Sequence, residues 1–156
     1  MRIAFLFSGQ LRELSLDLFR RSLSNLTKDI DYGIFVYCWE EEGKSLNHKY
    51  KIPDTILVQN INLKILKMFN EFNLLNYSYE SFENFDKKIS LDHQNILNSK
   101  KFHFGTINSL PQIYTLYKSF ALLEKSNYQY DLVFKCRFDS IFVHPLKLLS
   151  LEKILM

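Results

Sequence analysis

Three apolar runs constrain this chain more than anything else in it. They are Ile3-Ala4-Phe5-Leu6-Phe7, Ile34-Phe35-Val36-Tyr37-Cys38-Trp39 and Leu132-Val133-Phe134. Each is too short for a buried helix and rich in β-formers. None alternates with polar residues, so each reads as a strand buried on both faces, as in a parallel sheet covered by helices. Helical patterns separate them. Leu11 to Leu26 carries Leu at 11, 14, 16, 18, 23 and 26 with Phe19, a stripe of helical period. Ser109-Leu110-Pro111 reads as a helix start, a capping residue with Pro in the first turn, and the helix runs to about Lys125. Ile113, Leu116, Tyr117, Phe120 and Ala121 form its expected core stripe, shared with Glu124. Thr55–Gln59 is a short third strand, and Leu63, Leu66, Met68 and Phe69 predict a helix over about 62–73. The rest of 61–108 reads as irregular, with one short helix through Phe85–Asn98. Pro145 closes the final strand, and a last short helix is expected over Leu146–Met156. This order implies an α/β fold, a mostly parallel open sheet flanked by helices. No repeat or linker divides residues 1–156, which read as a single domain.

Composition excludes several classes. The chain has 156 residues, 47% hydrophobic and 15% aromatic, enough for a core and unlike a disordered chain. With only 4 Gly and 3 Pro, a turn-dense all-β fold is disfavoured. The net charge of +3 comes from dispersed basic residues, which is no nucleic-acid footprint. It leaves room for peripheral attraction to an anionic membrane face. Cys38 and Cys136 each sit inside an apolar run and read as buried thiols rather than a disulfide framework. His48, His93, His103 and His144 show no metal-ligand spacing. The apolar run after Arg2 is too short for a signal segment, and nothing approaches the roughly 20 apolar residues of a membrane span. The default location is the cytoplasm.

The chemistry concentrates where strands end. After Leu132-Val133-Phe134, Lys135, Arg137 and Asp139 alternate with Cys136, Phe138 and Ser140, so a strand period points the three charges one way. Either they form a ligand site at the carboxyl end of the strand, or Arg137 and Asp139 are only an ion pair at a solvated edge. Ser8-Gly9-Gln10 breaks the first strand. A strand-to-helix loop there offers backbone N–H groups to an anion, and Arg12 adds a phosphate-matched fork at the helix start. One Gly makes neither a P-loop nor a Rossmann fingerprint. Trp39, the single Trp, either stacks on a base or sugar or is a half-buried rim residue. In a parallel sheet the loops Phe7–Arg12, Tyr37–Glu42 and Arg137–Asp139 emerge on one edge.

Segments 1–12 (MRIAFLFSGQLR), 34–39 (IFVYCW) and 110–120 (LPQIYTLYKSF), followed in order by 130–139 (YDLVFKCRFD), resemble bacterial glycosyltransferases of surface-polysaccharide synthesis. The nearest family is that of capsule and lipooligosaccharide sugar transferases with a GT-A-like fold. The resemblance covers about the first 60 residues and 108–145. It implies a Rossmann-related nucleotide-binding half, a nucleotide-sugar donor and a glycan or lipid-linked acceptor. It also implies work at the inner face of the cytoplasmic membrane.

In that family an Asp-X-Asp motif after a buried strand binds the divalent ion that bridges the donor diphosphate. The matching segment is Arg137-Phe138-Asp139, with Arg in place of the first carboxylate. The resemblance therefore implies that Asp139 ligates Mn²⁺ or Mg²⁺, or that Arg137 itself neutralises the diphosphate. Ser8, Gly9, Gln10 and Arg12 would contact base, ribose or phosphate. Lys118, with Tyr114 beside it, would approach the diphosphate from the preceding helix. The chain stops soon after Asp139, where such enzymes continue into acceptor-binding segments. The expectation is thus a donor-binding domain incomplete at its C-terminus, either part of a transferase or a non-catalytic remnant, with an unpaired sheet edge that invites pairing. A third alternative is a ligand-free partner protein.

Overall fold

The computed structural model describes residues 1–12, 15–43, 55–85, 87–88 and 105–146. In chain order the elements are β1 (Arg2–Leu11), α1 (Leu16–Leu26), β2 (Asp31–Gly43), β3 (Thr55–Leu57), α2 (Ile61–Phe69), β4 (Leu74–Glu80), α3 (Gly105–Glu124) and β5 (Leu132–Cys136). The fold is α/β. Four strands run parallel in the order β4-β2-β1-β5, and the short β3 pairs antiparallel with the end of β2. The helices lie on both faces.

The apolar runs explain this layering. Ile3 to Phe7 of β1 are all at most 1% exposed. One face of the sheet presents Ile3, Phe5, Phe7, Ile34, Val36, Cys38 and Cys136 to α1 and α2, which answer with Phe19, Leu23, Leu26, Ile65 and Phe69. Phe7 sits at the centre of this layer. Its ring is 5.3 Å from Phe69, 5.9 Å from Phe19 and 5.7 Å from Phe138. The other face presents Ala4, Leu6 and Phe35 to Leu116, Leu122 and Leu123 of α3. Gly33 of β2 leaves room for the Tyr130 and Leu75 side chains. A Cβ there would strike the Tyr130 hydroxyl and come within 2.6 Å of Leu75 Cδ1.

Several expectations change. β1 continues to Leu11 and α1 begins only at Leu16, so Leu11 belongs to the strand and Leu18 is exposed. Ser15 precedes α1 and its carbonyl accepts from Phe19 N–H at 2.9 Å. The third parallel strand is Leu74–Glu80, where irregular structure was expected; Thr55–Leu57 is antiparallel. α2 ends at Phe69, earlier than 73. The start expected at Ser109 lies inside α3, which already runs from Gly105 and carries Pro111 within it.

The buried stripe of α3 is Thr115, Ser119 and Leu123, and Ile113, Tyr117 and Phe120 face outward at 60%, 65% and 42% exposure. Thr115 and Ser119 pack because their hydroxyls bond back to carbonyls of their own helix, Thr115 to Pro111 and Gln112 and Ser119 to Leu116. Small, internally satisfied residues let the helix approach the sheet closely. β5 ends at Cys136 rather than continuing to Val143, and Val133 is 45% exposed because among the described residues β5 lies at the sheet edge with its α3 side uncovered. Residues 147–156 and most of 85–98, where two further helices were expected, lie outside the described residues.

Replacing Phe7 with Ala should destabilise the fold by about 3–5 kcal/mol, since the surrounding rings cannot all collapse into the space. Urea unfolding should show a lower midpoint at unchanged slope. A loss under about 1 kcal/mol would mean that the ring cluster does not organise the core.

Candidate functional site at the carboxyl edge of the sheet

Parallel pairing puts the carboxyl ends of β1, β2, β4 and β5 on one edge. Successive steps from β1 to β2 to β4 move one way across the sheet, and β5 returns to the far side of β1. The switch point, where open α/β sheets form a ligand crevice, therefore lies between the ends of β1 and β5.

Two residues at the end of β1 bear on ligand binding. Gly9 has φ of +112°, a conformation that excludes a β-carbon, and open space lies where that carbon would stand. The β1/β2 register is irregular between Gly9 and Leu11. Ser8 is 6% exposed and its Oγ has no hydrogen-bond partner among the described residues. Gln10 follows as a half-buried residue. Arg12 is in the segment after β1, not at the helix start. Its Nε stands 3.8 Å from Asp139 Oδ2, which joins the two ends of the switch point.

Asp139 lies in the turn after β5, where Ser140 N–H donates to the Arg137 carbonyl. Arg137 grips it in a fork, Nε to Oδ1 and Nη2 to Oδ2, both 2.8 Å. This bond, against partial burial, holds the Asp139 carboxyl below its usual range and raises Arg137 further. The pair is exposed, 53% and 36% by side chain, so it contributes at most about 1 kcal/mol to stability. With Arg12, two guanidiniums stand on one carboxylate. Asp139 is the only carboxylate in these contacts and both its oxygens are on guanidinium. Among the described residues no three His, Cys, Asp or Glu side chains converge. This donor set suits a phosphate better than a divalent cation.

A second cluster, which the sequence reading did not identify, closes the β2 and β4 ends. Glu80 Oε2 accepts from the Tyr37 and Tyr114 hydroxyls, each at 2.8 Å, and Oε1 from Lys88. Burial alone would raise the Glu80 pKa, but the bonds from Lys88, Tyr37 and Tyr114 outweigh it and the carboxyl titrates low. Burial and the bond to Glu80 push both tyrosines up. Trp39 packs here against Phe82, Phe85 and Tyr114 at 4% exposure. It is a buried wall, not a surface for stacking a base. Lys118 Nζ sits 5.3 Å from the Tyr114 ring centre. Lys118 and Tyr114 are thus placed over the β2/β4 side, with β1 between them and Arg137. Tyr117, expected in the core, is exposed. Glu80 was hidden because it ends a strand whose Tyr, Asn and Ser gave no buried-strand signal.

Cys38 and Cys136 are buried free thiols, as expected. Burial pushes the Cys136 thiol up to about 12 and Cys38 higher still, which disfavours the reactive thiolate at both. No helix among the described residues is long and apolar enough to cross a membrane. Comparison with protein-family models, curated proteins and solved structures finds no match to this chain.

Because Glu80 titrates lower folded than unfolded, its contribution is complete above the ordinary Glu value of about 4.3 and fades as pH falls through the folded value. Glu80→Gln should therefore cost about 1–3 kcal/mol at neutral pH. It should also flatten the acid-side loss of stability in thermal melts between pH 6 and pH 3; an unchanged acid slope would contradict this assignment.

Proposed function

We propose that the edge between β1 and β5 binds the diphosphate of a nucleotide-sugar, and that this chain is a donor-binding domain of a glycosyltransferase acting in bacterial surface-glycan synthesis. The observation that carries this reading is the meeting of Arg12 with Asp139 at the topological switch point. It brings together the first and last of the four segments on which the resemblance rests. Open space at Gly9 and the unpartnered Ser8 hydroxyl beside it support it.

In this reading Arg137 and Arg12 hold the phosphates, and Asp139 keeps the Arg137 fork oriented until an anion takes its place. Guanidinium forks match phosphate oxygens geometrically, and their charge would stabilise a departing nucleoside diphosphate. Ser8 and the Gly9–Gln10 backbone contact the donor beside them. Lys118, on the β2/β4 side, has no role at the diphosphate. No step requires the divalent ion that the family resemblance implies. The acceptor, a glycan or lipid-linked sugar, and attachment to the inner membrane face belong to the same proposal.

A second reading is favoured by the bidentate geometry itself: Arg137 and Asp139 form a structural ion pair with no ligand. Calorimetric titration with UDP- and GDP-sugars, with and without Mn²⁺, separates the two. The donor reading expects binding in the absence of metal, weakened about tenfold or more by Arg137→Ala, since a charge-assisted bond contributes about 1.5–3 kcal/mol. Asp139→Asn should leave donor affinity equal or tighter and stability within about 1 kcal/mol. Dependence on Mn²⁺ that Asp139→Asn abolishes would restore the metal alternative. No binding under either condition would overturn the donor reading, and binding without sugar transfer would reduce it to a nucleotide-sugar-holding module.

A further inference from the structure

An exposed apolar surface lies beside the outer edge of β5. Val133, Ile113, Tyr117 and Phe120 are 45%, 60%, 65% and 42% exposed. With Leu6, Leu116 and Lys135 they line an open groove of about 450 Å³. Contiguous exposed apolar patches of this kind mark interaction sites. β5 itself pairs with β1 alone among the described strands. Asp131 N–H donates to the Arg2 carbonyl at 2.9 Å. Backbone polarity alternates along a strand, so residues 131, 133 and 135 face β1 and residues 132, 134 and 136 present their N–H and C=O groups outward.

We propose that this edge pairs with the same edge of a second copy, β5 against β5 in antiparallel register about a two-fold axis at Val133, with the two α3 helices side by side on one face. Charge and pattern select that register. It sets Val133 against Val133 of the partner subunit and Leu132 against Phe134 of the partner subunit. It also sets Asp131 opposite Lys135 of the partner subunit, twice by symmetry. The outward groups of Leu132 and Phe134 then bond across the joint. A shift that places Lys135 on the axis opposes two like charges, which is unfavourable across a strand pair. Both α3 helices stay on the same face, so Ile113, Tyr117 and Phe120 cover one another's grooves. Lysine on an edge ordinarily blocks pairing. Here Asp131 compensates it in a single register, so the contact is isologous and closes at two copies. The Asp131 side chain is 62% exposed; its Oδ2 accepts from the Arg2 N–H at 2.6 Å and lies 4.0 Å from the Met1 amino group, so Oδ1 is the oxygen that would meet Lys135 of the partner subunit.

Sedimentation or light scattering at micromolar concentration tests this. Wild type should have twice the 18.7 kDa mass of one chain. Lys135→Glu and Asp131→Lys should each be monomeric alone, and an equimolar mixture should recover the dimer, because both cross-strand pairs are then opposite in charge. Tyr117→Asp, at an exposed position that needs no refolding of the core, should be monomeric and not rescued by either. The Phe134 amide should exchange with solvent faster after dilution below the dissociation constant. A wild-type monomer throughout that range would overturn the proposal, as would folded charge-reversed variants that fail to recover the dimer on mixing. A dimer that Tyr117→Asp leaves intact would overturn it too. These outcomes do not depend on donor binding.

Discussion

Everything in this molecule depends on burying β1 from all sides. Its five-residue apolar run is hydrogen-bonded to β2 on one edge and β5 on the other, and covered by α1 and α2 on one face and α3 on the opposite face. A parallel strand in this position offers no solvated side, so every residue from Ile3 to Phe7 must be apolar and the backbone must be fully paired. Full burial lapses at Gly9 and Gln10, which are half-buried, and returns at Leu11. Those two positions stand beside the switch point between the ends of β1 and β5.

The α3 layer shows how a sheet can be covered by unlikely material. Thr115 and Ser119 lie at 0% exposure between apolar neighbours, each hydroxyl satisfied within its own turn. A buried hydroxyl with an internal partner costs little, whereas a bulky side chain at those positions would push the helix away from Ala4 and Leu6. The consequence is an exposed apolar flank on the β5 side. Toward β4 the helix is tied instead by Tyr114 to Glu80, and Trp39 and Phe85 pack beneath that tie. One helix therefore has a polar clamp on one flank and an unsatisfied apolar surface on the other.

This explains which parts of the chain were legible. Continuous apolar runs announce doubly buried strands, so β1 and β2 and the parallel class followed directly from residues 3–7 and 34–39. β4 was not legible because Asn76, Ser78 and Glu80 interrupt its apolar residues, although Leu74, Leu75 and Tyr77 pack against the core. The face of α3 was misread because periodicity weights size and hydrophobicity, while packing here selected small residues with internally bonded hydroxyls. The pairing of Arg137 with Asp139 was readable from their two-residue spacing. The arrival of Arg12 at the same carboxylate was not, because it depends on β1 running to Leu11 before the chain turns.

The energetics of that carboxylate decide how its neighbourhood should be understood. An exposed fork between Arg137 and Asp139 adds little to stability, and its site lies outside the packed core that β1 organises. Its effect is on orientation. The fork limits the guanidinium to one plane and one direction, and Arg12 Nε stands 3.8 Å from the same carboxylate. In the donor-binding reading, an anion beside Gly9 would meet a guanidinium already directed, so less ordering entropy would be lost on binding. A divalent cation entering the same place meets two guanidiniums and one occupied carboxylate, and must displace charge of its own sign. In the proposed reading the asymmetry comes from Arg137, where the resemblance would have a first carboxylate: a guanidinium there suits phosphate oxygens, not a cation.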